Sequence, residues 1–101
     1  MKIDDSLMAV VRGYGVDKAI VFGSQARGIV DETSDIDLVM VKETKLQFLD
    51  RLREFALLLP PGLPRVDAFI YTPEEFELMR ERKNPLIMKV LSEGEVVYEA
   101  S

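Results

Sequence analysis

The sequence predicts an α/β (α+β) fold in which a mixed β-sheet is flanked by helices. Apolar runs of strand length alternate along the chain with segments whose apolar residues recur at helical spacing. Proline and glycine mark the boundaries between these segments. Hydrophobic residues make up 48% of the chain and charged residues 31%, a balance typical of a globular protein rather than a disordered one.

Length and the first residues set expectations about domains and location. With 101 residues, the chain has room for one domain, residues 1–101, and a second substrate-binding domain does not fit. The acids Asp4 and Asp5 are unlike the start of a signal peptide, and no apolar run approaches the ~18 residues of a membrane span. We therefore expect a cytoplasmic protein with no membrane partner.

A helix and a buried strand open the chain. Residues 6–13 have amphipathic spacing, with Asp5 or Ser6 as the cap and a Gly-Tyr-Gly sequence at 13–15 to end the helix. Residues 18–22 (KAIVF) form a nearly continuous apolar run, which predicts a central strand covered on both faces. This strand should lie in the middle of the sheet.

A short polar segment separates this strand from a second one. Residues 24–28 are long enough for about one or two helical turns, which Gly28 would close in a left-handed conformation. A polar loop follows, and residues 35–41 (DIDLVMV) are predicted to be a strand that is polar at its start and apolar afterwards. The start of this second strand should face something charged.

A longer helix is predicted over residues 44–59. Thr44 and Gln47 have the spacing of a capping box, and a Pro-Pro-Gly sequence ends the pattern. The apolar residues along one face of this helix are predicted to form part of the core or of a partner surface, with no cofactor implied. These residues are Leu49, Leu52, Ala56 and Leu59, and the same expectation covers Phe76, Met79, Leu86 and Ile87.

The last third of the chain is predicted to hold two strands and two helices. Residues 65–71 alternate as a third strand. The Thr-Pro-Glu-Glu sequence at 72–75 supplies the cap, first-turn proline and capping-box acid of a helix. Residues 84–91 begin with the same cap-plus-proline pair, and residues 95–99 (EVVYE) indicate a closing edge strand. The sheet should therefore have three or four strands.

Several kinds of catalytic site are excluded by residue types that the chain lacks. It has no cysteine and no histidine, so disulfides, thiolate nucleophiles, zinc clusters and imidazole bases are ruled out. Any catalysis must use carboxylates, hydroxyls, lysine or arginine. The dinucleotide signature Gly-x-Gly-x-x-Gly and the phosphate-loop signature Gly-x-x-x-x-Gly-Lys are also missing. Phosphate would have to be bound in another way.

The charge balance restricts the partners of the chain. A formal net charge of -5 argues against nonspecific nucleic-acid binding, which normally needs clustered lysine and arginine. The same charge opposes a nucleotide, because like charges a few ångströms apart repel by ~1 kcal/mol per pair even in water. A triphosphate beside carboxylates would need a divalent cation between them.

Two carboxylates open the second predicted strand. Asp35 and Asp37 are two residues apart, so both project from one face, about 6.5 Å apart at their backbones. Such a pair can hold two cations for phosphoryl transfer, and magnesium suits an all-oxygen ligand set. The alternative is a pair of solvated acids near a loop end. The metal site is favoured because carboxylates beside a buried strand are costly without a compensating cation.

A third carboxylate, Asp67, is the only charge inside the short apolar run at 66–70. A strand beside the second one would bring Asp67 to the same face as the first two acids. There it could ligate the metal that holds an acceptor and take the proton of the acceptor's hydroxyl. A structural acid paired with Arg65 or another basic residue remains an equal alternative.

Gly23 and Ser24 follow the first strand and open the predicted helical turns. Gly23 would let the backbone approach a phosphate, while the free amides of the helix start and the Ser24 hydroxyl would donate hydrogen bonds to the β and γ oxygens. Ser24 could also be an ordinary N-cap, and the two roles are compatible. Arg27 could reach a phosphate or pair with Asp31, Glu32 or an active-site acid.

Three segments together resemble the signature of the DNA polymerase beta nucleotidyltransferase superfamily. They are GSQARG at 23–28, SDIDL at 34–38 and VD at 66–67. In length and layout the chain is similar to the minimal nucleotidyltransferases (MNT) of bacteria and archaea, and the resemblance extends from roughly residue 18 to residue 99.

The resemblance implies a nucleotidyltransferase fold and a role for each candidate residue. Asp35, Asp37 and Asp67 would be the catalytic carboxylates that hold two magnesium ions, and Gly23 and Ser24 would hold the triphosphate. The superfamily implies transfer of a nucleoside monophosphate, usually AMP from ATP, to a hydroxyl. Minimal members commonly act as antitoxin to a helical toxin of the HEPN class, and some attach AMP to a tyrosine of that partner.

Three functions therefore stay open on the sequence. The first is a protein adenylyltransferase whose acceptor is a HEPN-type partner; this chain cannot be the HEPN half, because that class relies on an arginine and histidine motif. The second is a binding module that neutralises a partner by contact, with or without a nucleotide as structural ligand. The third is an enzyme acting on a small-molecule hydroxyl, whose pocket a homodimer could complete.

Overall fold

The computed structural model of the chain describes residues 5–22, 36–63 and 65–100. Helices and strands follow one another along these residues in the predicted order, and the predicted helical turns at 24–28 lie outside them. Within the described ranges, no helix is both long and apolar enough to cross a membrane. The elements are α1 (Asp5–Tyr14), β1 (Lys18–Phe22), β2 (Ile36–Val41), α2 (Phe48–Leu58), β3 (Val66–Tyr71), α3 (Pro73–Glu81), α4 (Pro85–Glu93) and β4 (Glu95–Glu99).

The four described strands form one mixed sheet in the order β3-β2-β1-β4. β1 pairs antiparallel with β2 and with β4, whereas β2 and β3 are parallel. The predicted mixed sheet is confirmed, as are the inner position of β1 and the edge position of β4. Parallel strands need a crossover connection, which α2 supplies here. The starts of β2 and β3 therefore lie at the same end of the sheet.

Helices pack on both faces of the sheet, which explains why β1 is an almost continuous apolar run. Successive side chains of a strand point to opposite faces, so each strand contributes to two clusters. The first cluster joins the sheet to α1 and α2 and includes Leu7, Val11, Ala19, Val21, Leu38, Met40, Phe55 and Ile70. The second joins it to α3 and α4 and includes Ile20, Phe22, Val39, Phe69, Phe76, Leu86 and Val90.

The two cap-plus-proline helix starts are confirmed. At α3, the Thr72 hydroxyl accepts a hydrogen bond from the Glu75 amide at 3.1 Å, and the Thr72 amide donates to the Glu75 carboxylate at 2.8 Å. At α4, the Asn84 side chain accepts from the amides of Leu86 at 2.9 Å and Ile87 at 3.4 Å. Both caps satisfy backbone donors that the first helical turn leaves without partners.

The predicted capping box of Thr44 and Gln47 is wrong. The helix begins later, at Phe48, and its N-cap Gln47 makes no side-chain cap hydrogen bond. The Thr44 hydroxyl instead accepts a hydrogen bond from the Leu46 amide at 3.1 Å. Threonine side chains can bond nearby backbone in this way, and the local turn competes with an earlier helix start.

The apolar stripe of α2 is only partly turned toward the core. Leu52 and Leu59 pack against the first cluster, whereas Leu49 is 68% exposed. The residues that α2 buries are Phe55 and, four positions earlier on the same helical face, Arg51. The helix is therefore oriented by an arginine that the apolar pattern does not include.

Candidate functional site

Asp37 and Asp67 are direct neighbours on adjacent strands. They are paired in register across the parallel strands β2 and β3, so their side chains point to the same face of the sheet. Neighbouring strands lie about 4.8 Å apart, which brings the two carboxylates within reach of one cation. The predicted position of Asp67 beside the second strand is therefore confirmed. Its catalytic role stays a prediction.

The end of β1 lies next to this pair. Phe22, the last residue of β1, is the register partner of Asp37 on the antiparallel side. The order across this end of the sheet is thus Asp67 on β3, Asp37 on β2 and Phe22 on β1. The other predicted site residues, Gly23, Ser24, Arg27 and Asp35, lie outside the described residues.

Asp67 makes the ion pair that the structural alternative requires. Its Oδ1 lies 3.4 Å from Nε of Arg65, but the side chains of Arg65 and Asp67 are 75% and 37% exposed. An ion pair this open to solvent is worth only about 0–1 kcal/mol. Arg65 therefore does not prevent Asp67 from ligating another cation, and the two interpretations remain compatible.

A cavity of about 380 Å³ lies beside the pair of acids. Strand alternation puts Val66 and Ala68 on the face toward α2, and Asp67 and Phe69 on the opposite face. Because residues of both faces line the cavity, it passes along the edge strand β3. Among the described residues, its lining includes Asp37, Leu52, Phe55, Ala56, Leu59, Val66, Asp67, Ala68 and Phe69.

The donor atoms at this end of the sheet fit a hard divalent cation. Carboxylate oxygens are the ligands that magnesium prefers, and two like charges on neighbouring strands repel each other unless a cation lies between them. Among the described residues, no group of three or more acidic side chains is placed to hold a metal ion. The third predicted ligand, Asp35, lies outside those residues.

A second charged cluster, which the sequence did not reveal, lies at the other end of β2 and β3. Its centre is Arg51, the charged residue that is buried among those described. The Arg51 guanidinium donates to the Glu75 carboxylate through two nitrogens, at 2.7 and 3.2 Å. It also donates to the carbonyl oxygens of Ile70 at 3.0 Å and Leu46 at 2.8 Å. Arg51 thereby ties α2 to the end of β3 and to the start of α3.

The contacts of the charged cluster around Arg51 shift the pKa values of two of its residues. Hydrogen bonds from the Arg51 guanidinium hold the pKa of Glu75 below its usual value. Burial raises the pKa of Tyr14, whose ring has the Lys42 ammonium nitrogen 3.5 Å from its centre. The sequence signals for the cluster are the capping-box position of Glu75 and the four-residue spacing of Arg51 and Phe55 on the buried helical face.

Comparison with known protein families gives a match over most of the chain. The family model for "Polymerase beta, Nucleotidyltransferase" matches residues 6–101. No curated protein matches the chain significantly.

Solved structures share the fold at low sequence identity. A toxin-antitoxin complex with AMP-PNP has a TM-score of 0.69 and 21% identity, over 96% of this chain and 73% of that chain. A toxin-antitoxin mutant, MntA-HpeT, has a TM-score of 0.67 and 20% identity, over 100% and 76%. A protein of Sulfolobus solfataricus, named as a candidate nucleotidyltransferase, has a TM-score of 0.60 and 19% identity, over 94% and 75%.

Proposed function

The chain belongs to the polymerase beta nucleotidyltransferase family, and from this membership we propose that it transfers AMP from ATP to a hydroxyl group. The observation that carries the proposal is the register pairing of Asp37 with Asp67, which sets two carboxylates side by side. Two acids so close are explained by a bound cation better than by packing, since each is partly exposed and neither lies in the core.

We assign the ligands of magnesium to Asp35, Asp37 and Asp67. Two magnesium ions would lower the pKa of the attacking hydroxyl and balance charge on the leaving pyrophosphate. Asp67 would also accept the proton of that hydroxyl. Gly23 and Ser24 would bind the β and γ phosphates through backbone amides and the serine hydroxyl, and Arg27 would supply a further positive charge.

The acceptor we propose is a tyrosine of a HEPN-type helical toxin, with this chain as the antitoxin. Two structures with the same fold are toxin-antitoxin complexes, and one of them contains the ATP analogue AMP-PNP. Residues 1–101, taken as a single domain, supply the nucleotide half of a site. A protein partner would supply the acceptor half.

Labelling with ATP tests this function. Incubation of the chain with magnesium and ATP labelled at the α-phosphate should label the cognate toxin and raise its mass by AMP. Asp37→Asn should abolish the label, because a ligand of the cation is lost. Asp50→Asn is the matched control, since Asp50 is an exposed acid of α2 paired with Arg53. Undiminished labelling by the Asp37→Asn variant would contradict the proposed chemistry.

Neutralisation by contact alone is the second candidate, and exposed leucines on α2 favour it. Leu49 and Leu57 are 68% and 82% exposed and lie eight residues apart, close to one face of the helix. Large exposed apolar side chains of this kind are typical of protein interfaces. Full neutralisation of the toxin by a chain with Asp35, Asp37 and Asp67 all changed to asparagine would favour contact over transfer.

A further inference from the structure

We propose that the exposed face of α2 packs against α2 of a second copy of this chain, in an antiparallel pair centred on Arg53. This α2 face consists of Leu49, Arg53 and Leu57, with Asp50 on one side and Ala56 on the other. The inference goes beyond the proposed transfer of AMP and does not rest on it, because the pairing needs neither a nucleotide nor a toxin.

The leucines of the α2 face are turned away from the core. Leu49 and Leu57 have the largest exposed fractions among the large apolar side chains that the structure describes. They are spaced four residues before and after Arg53, so the three side chains form one ridge along the helix. The buried residues of the same helix, Arg51 and Phe55, lie on the opposite side. The ridge is therefore presented to another chain.

The symmetry of the ridge favours a second copy as the occupant. In an antiparallel pair of identical helices that is centred on Arg53, Leu49 of each copy lies against Leu57 of the other. A two-fold interface requires reciprocal contacts of this kind, in which one residue meets another and the reverse contact also occurs. Each copy thereby covers both exposed leucines of the other.

The charges on the α2 face are also complementary to themselves. The carboxylate of Asp50 lies 3.3 Å from the Arg53 guanidinium of its own chain, and both side chains are exposed. In the antiparallel pair the two arginines lie at the centre, and the aspartate of each copy approaches the arginine of the other. The face is thus electrically balanced, although the whole chain has a net charge of -5.

The size of the α2 face sets the strength of the pairing. Ala56 is exposed beside the ridge, and its small side chain lets two helices approach closely. One pair of short helices buries less than about 1,200 Å², which is the low end for specific complexes. We therefore expect a dimer that forms at high protein concentration and dissociates on dilution.

Sedimentation of the chain alone tests the pairing, at about 0.15 M salt to screen the net charge. The wild type should be a dimer at about 1 mM and a monomer at about 10 µM. Leu57→Gln should raise the dissociation constant at least about tenfold, because each dimer loses two buried leucine side chains. Leu58→Gln is the matched control: Leu58 is the next residue, is exposed, and lies outside the α2 face, so its change should stay below about twofold. A wild type that is monomeric at the higher concentration would overturn the proposal.

Charge reversal separates pairing between chains from the ion pair within one chain. Asp50→Arg makes the α2 face wholly positive and Arg53→Asp makes it wholly negative, so each variant alone should remain monomeric. An equal mixture of the two variants should associate, because the faces then carry opposite charges. Loss of the exposed ion pair within each chain cannot produce association on mixing.

The remaining outcomes also decide the question. A mixture that stays monomeric, or equal effects of Leu57→Gln and Leu58→Gln, would overturn the antiparallel pair. If the wild type stays monomeric while Leu57→Gln weakens binding of the toxin, the α2 face belongs to the toxin and the proposal is wrong. Labelling with ATP reports separately on the proposed transfer, so either proposal can fail without the other.

Discussion

The two ends of the parallel strands β2 and β3 use carboxylates in opposite ways. At the start of the strands, Asp67 has a solvent-exposed pairing with Arg65 at 3.4 Å and borders a cavity. Past the far end, Glu75 is held by two hydrogen bonds from the buried Arg51 guanidinium. The proposed function assigns a bound cation to the acids at the start of the strands, whereas the ion pair past the far end joins parts of the fold.

At the far end, the carboxylate is held by bonds from a buried guanidinium. Arg51 also donates to the carbonyl oxygens of Leu46 and Ile70, so α2, β3 and α3 are joined by one side chain. A buried charge is tolerated only when it is paired and hydrogen-bonded in this way. Asp37 and Asp67 are two like charges in register, and their repulsion favours a cation from solution.

Removal of the Arg51 guanidinium should give the largest loss of stability. Arg51→Met keeps an apolar stem but removes the guanidinium bonds to two backbone carbonyls and to Glu75, so we expect a loss of about 3 kcal/mol in the free energy of unfolding. Arg53→Met is the control, because Arg53 is 74% exposed and its loss should stay within about 0.5 kcal/mol. Urea denaturation measures both variants. Equal losses in the two variants would show that the charged cluster around Arg51 does not stabilise the fold.

Magnesium should stabilise the other end of the strands. A ligand that binds only the folded chain adds about 1.4 kcal/mol at ten times its dissociation constant. Thermal unfolding with increasing magnesium should therefore show a rising Tm for the wild type and a flat one for Asp37→Asn. Calcium and sodium chloride at matched ionic strength separate specific binding from screening. A parallel rise in wild type and variant would mean that the acids do not hold the cation.

Low pH should lower the free energy of unfolding through protonation of Glu75, which lies past the end of β3. Its pKa in the folded chain is lowered from 4.5 by the Arg51 guanidinium, so the unfolded chain takes up the proton first as the pH falls. The stabilising contribution is therefore complete well above pH 4.5 and is lost as the pH falls through the lower pKa of the folded state. Chemical denaturation between pH 6 and about pH 3 should show that the free energy of unfolding falls less steeply with pH in Glu75→Gln than in the wild type. Identical slopes would exclude this carboxylate as a contributor.

Substitution of Lys83, which lies away from both ends of β2 and β3, should give the smallest change in stability. It follows α3 with a φ of 54°, a left-handed backbone that favours glycine. Lys83→Gly should raise the free energy of unfolding by about 0.5 kcal/mol, with no change in nucleotide transfer. A change in transfer would show that distant stability and the candidate site are coupled.

The sequence predicts the acid end of the strands better than the far end. Strand alternation and the apolar runs suffice to put Asp37 and Asp67 side by side, because position along a strand determines which face a side chain occupies. The roles of Asp35, Gly23, Ser24 and Arg27 stay predictions, since these residues lie outside those that the structure describes. The apolar walls of the cavity come from β3 and from the segment of α2 and Leu59, whose orientation toward β3 cannot be predicted from the sequence.

There is a physical reason why the ion pair of Arg51 and Glu75 could not be predicted from the sequence. Arg51 is buried because its partner Glu75 lies 24 residues away, and hydrophobic periodicity records no such pairing. Local signals succeed where the bond is local, as at the Thr72 and Asn84 caps. They failed at Thr44, because two local hydrogen bonds were possible there and the turn to Leu46 formed instead of the helix cap.

One paired measurement tests the division between the two ends most directly. Asp67→Asn and Glu75→Gln each replace one carboxylate with an amide of nearly the same shape, and each variant is assayed for AMP transfer and for unfolding by urea. We predict that Asp67→Asn lowers transfer at least about 100-fold with stability unchanged. Glu75→Gln should lower stability and retain transfer. Full transfer by Asp67→Asn, or a loss of transfer by a fully folded Glu75→Gln, would contradict the account.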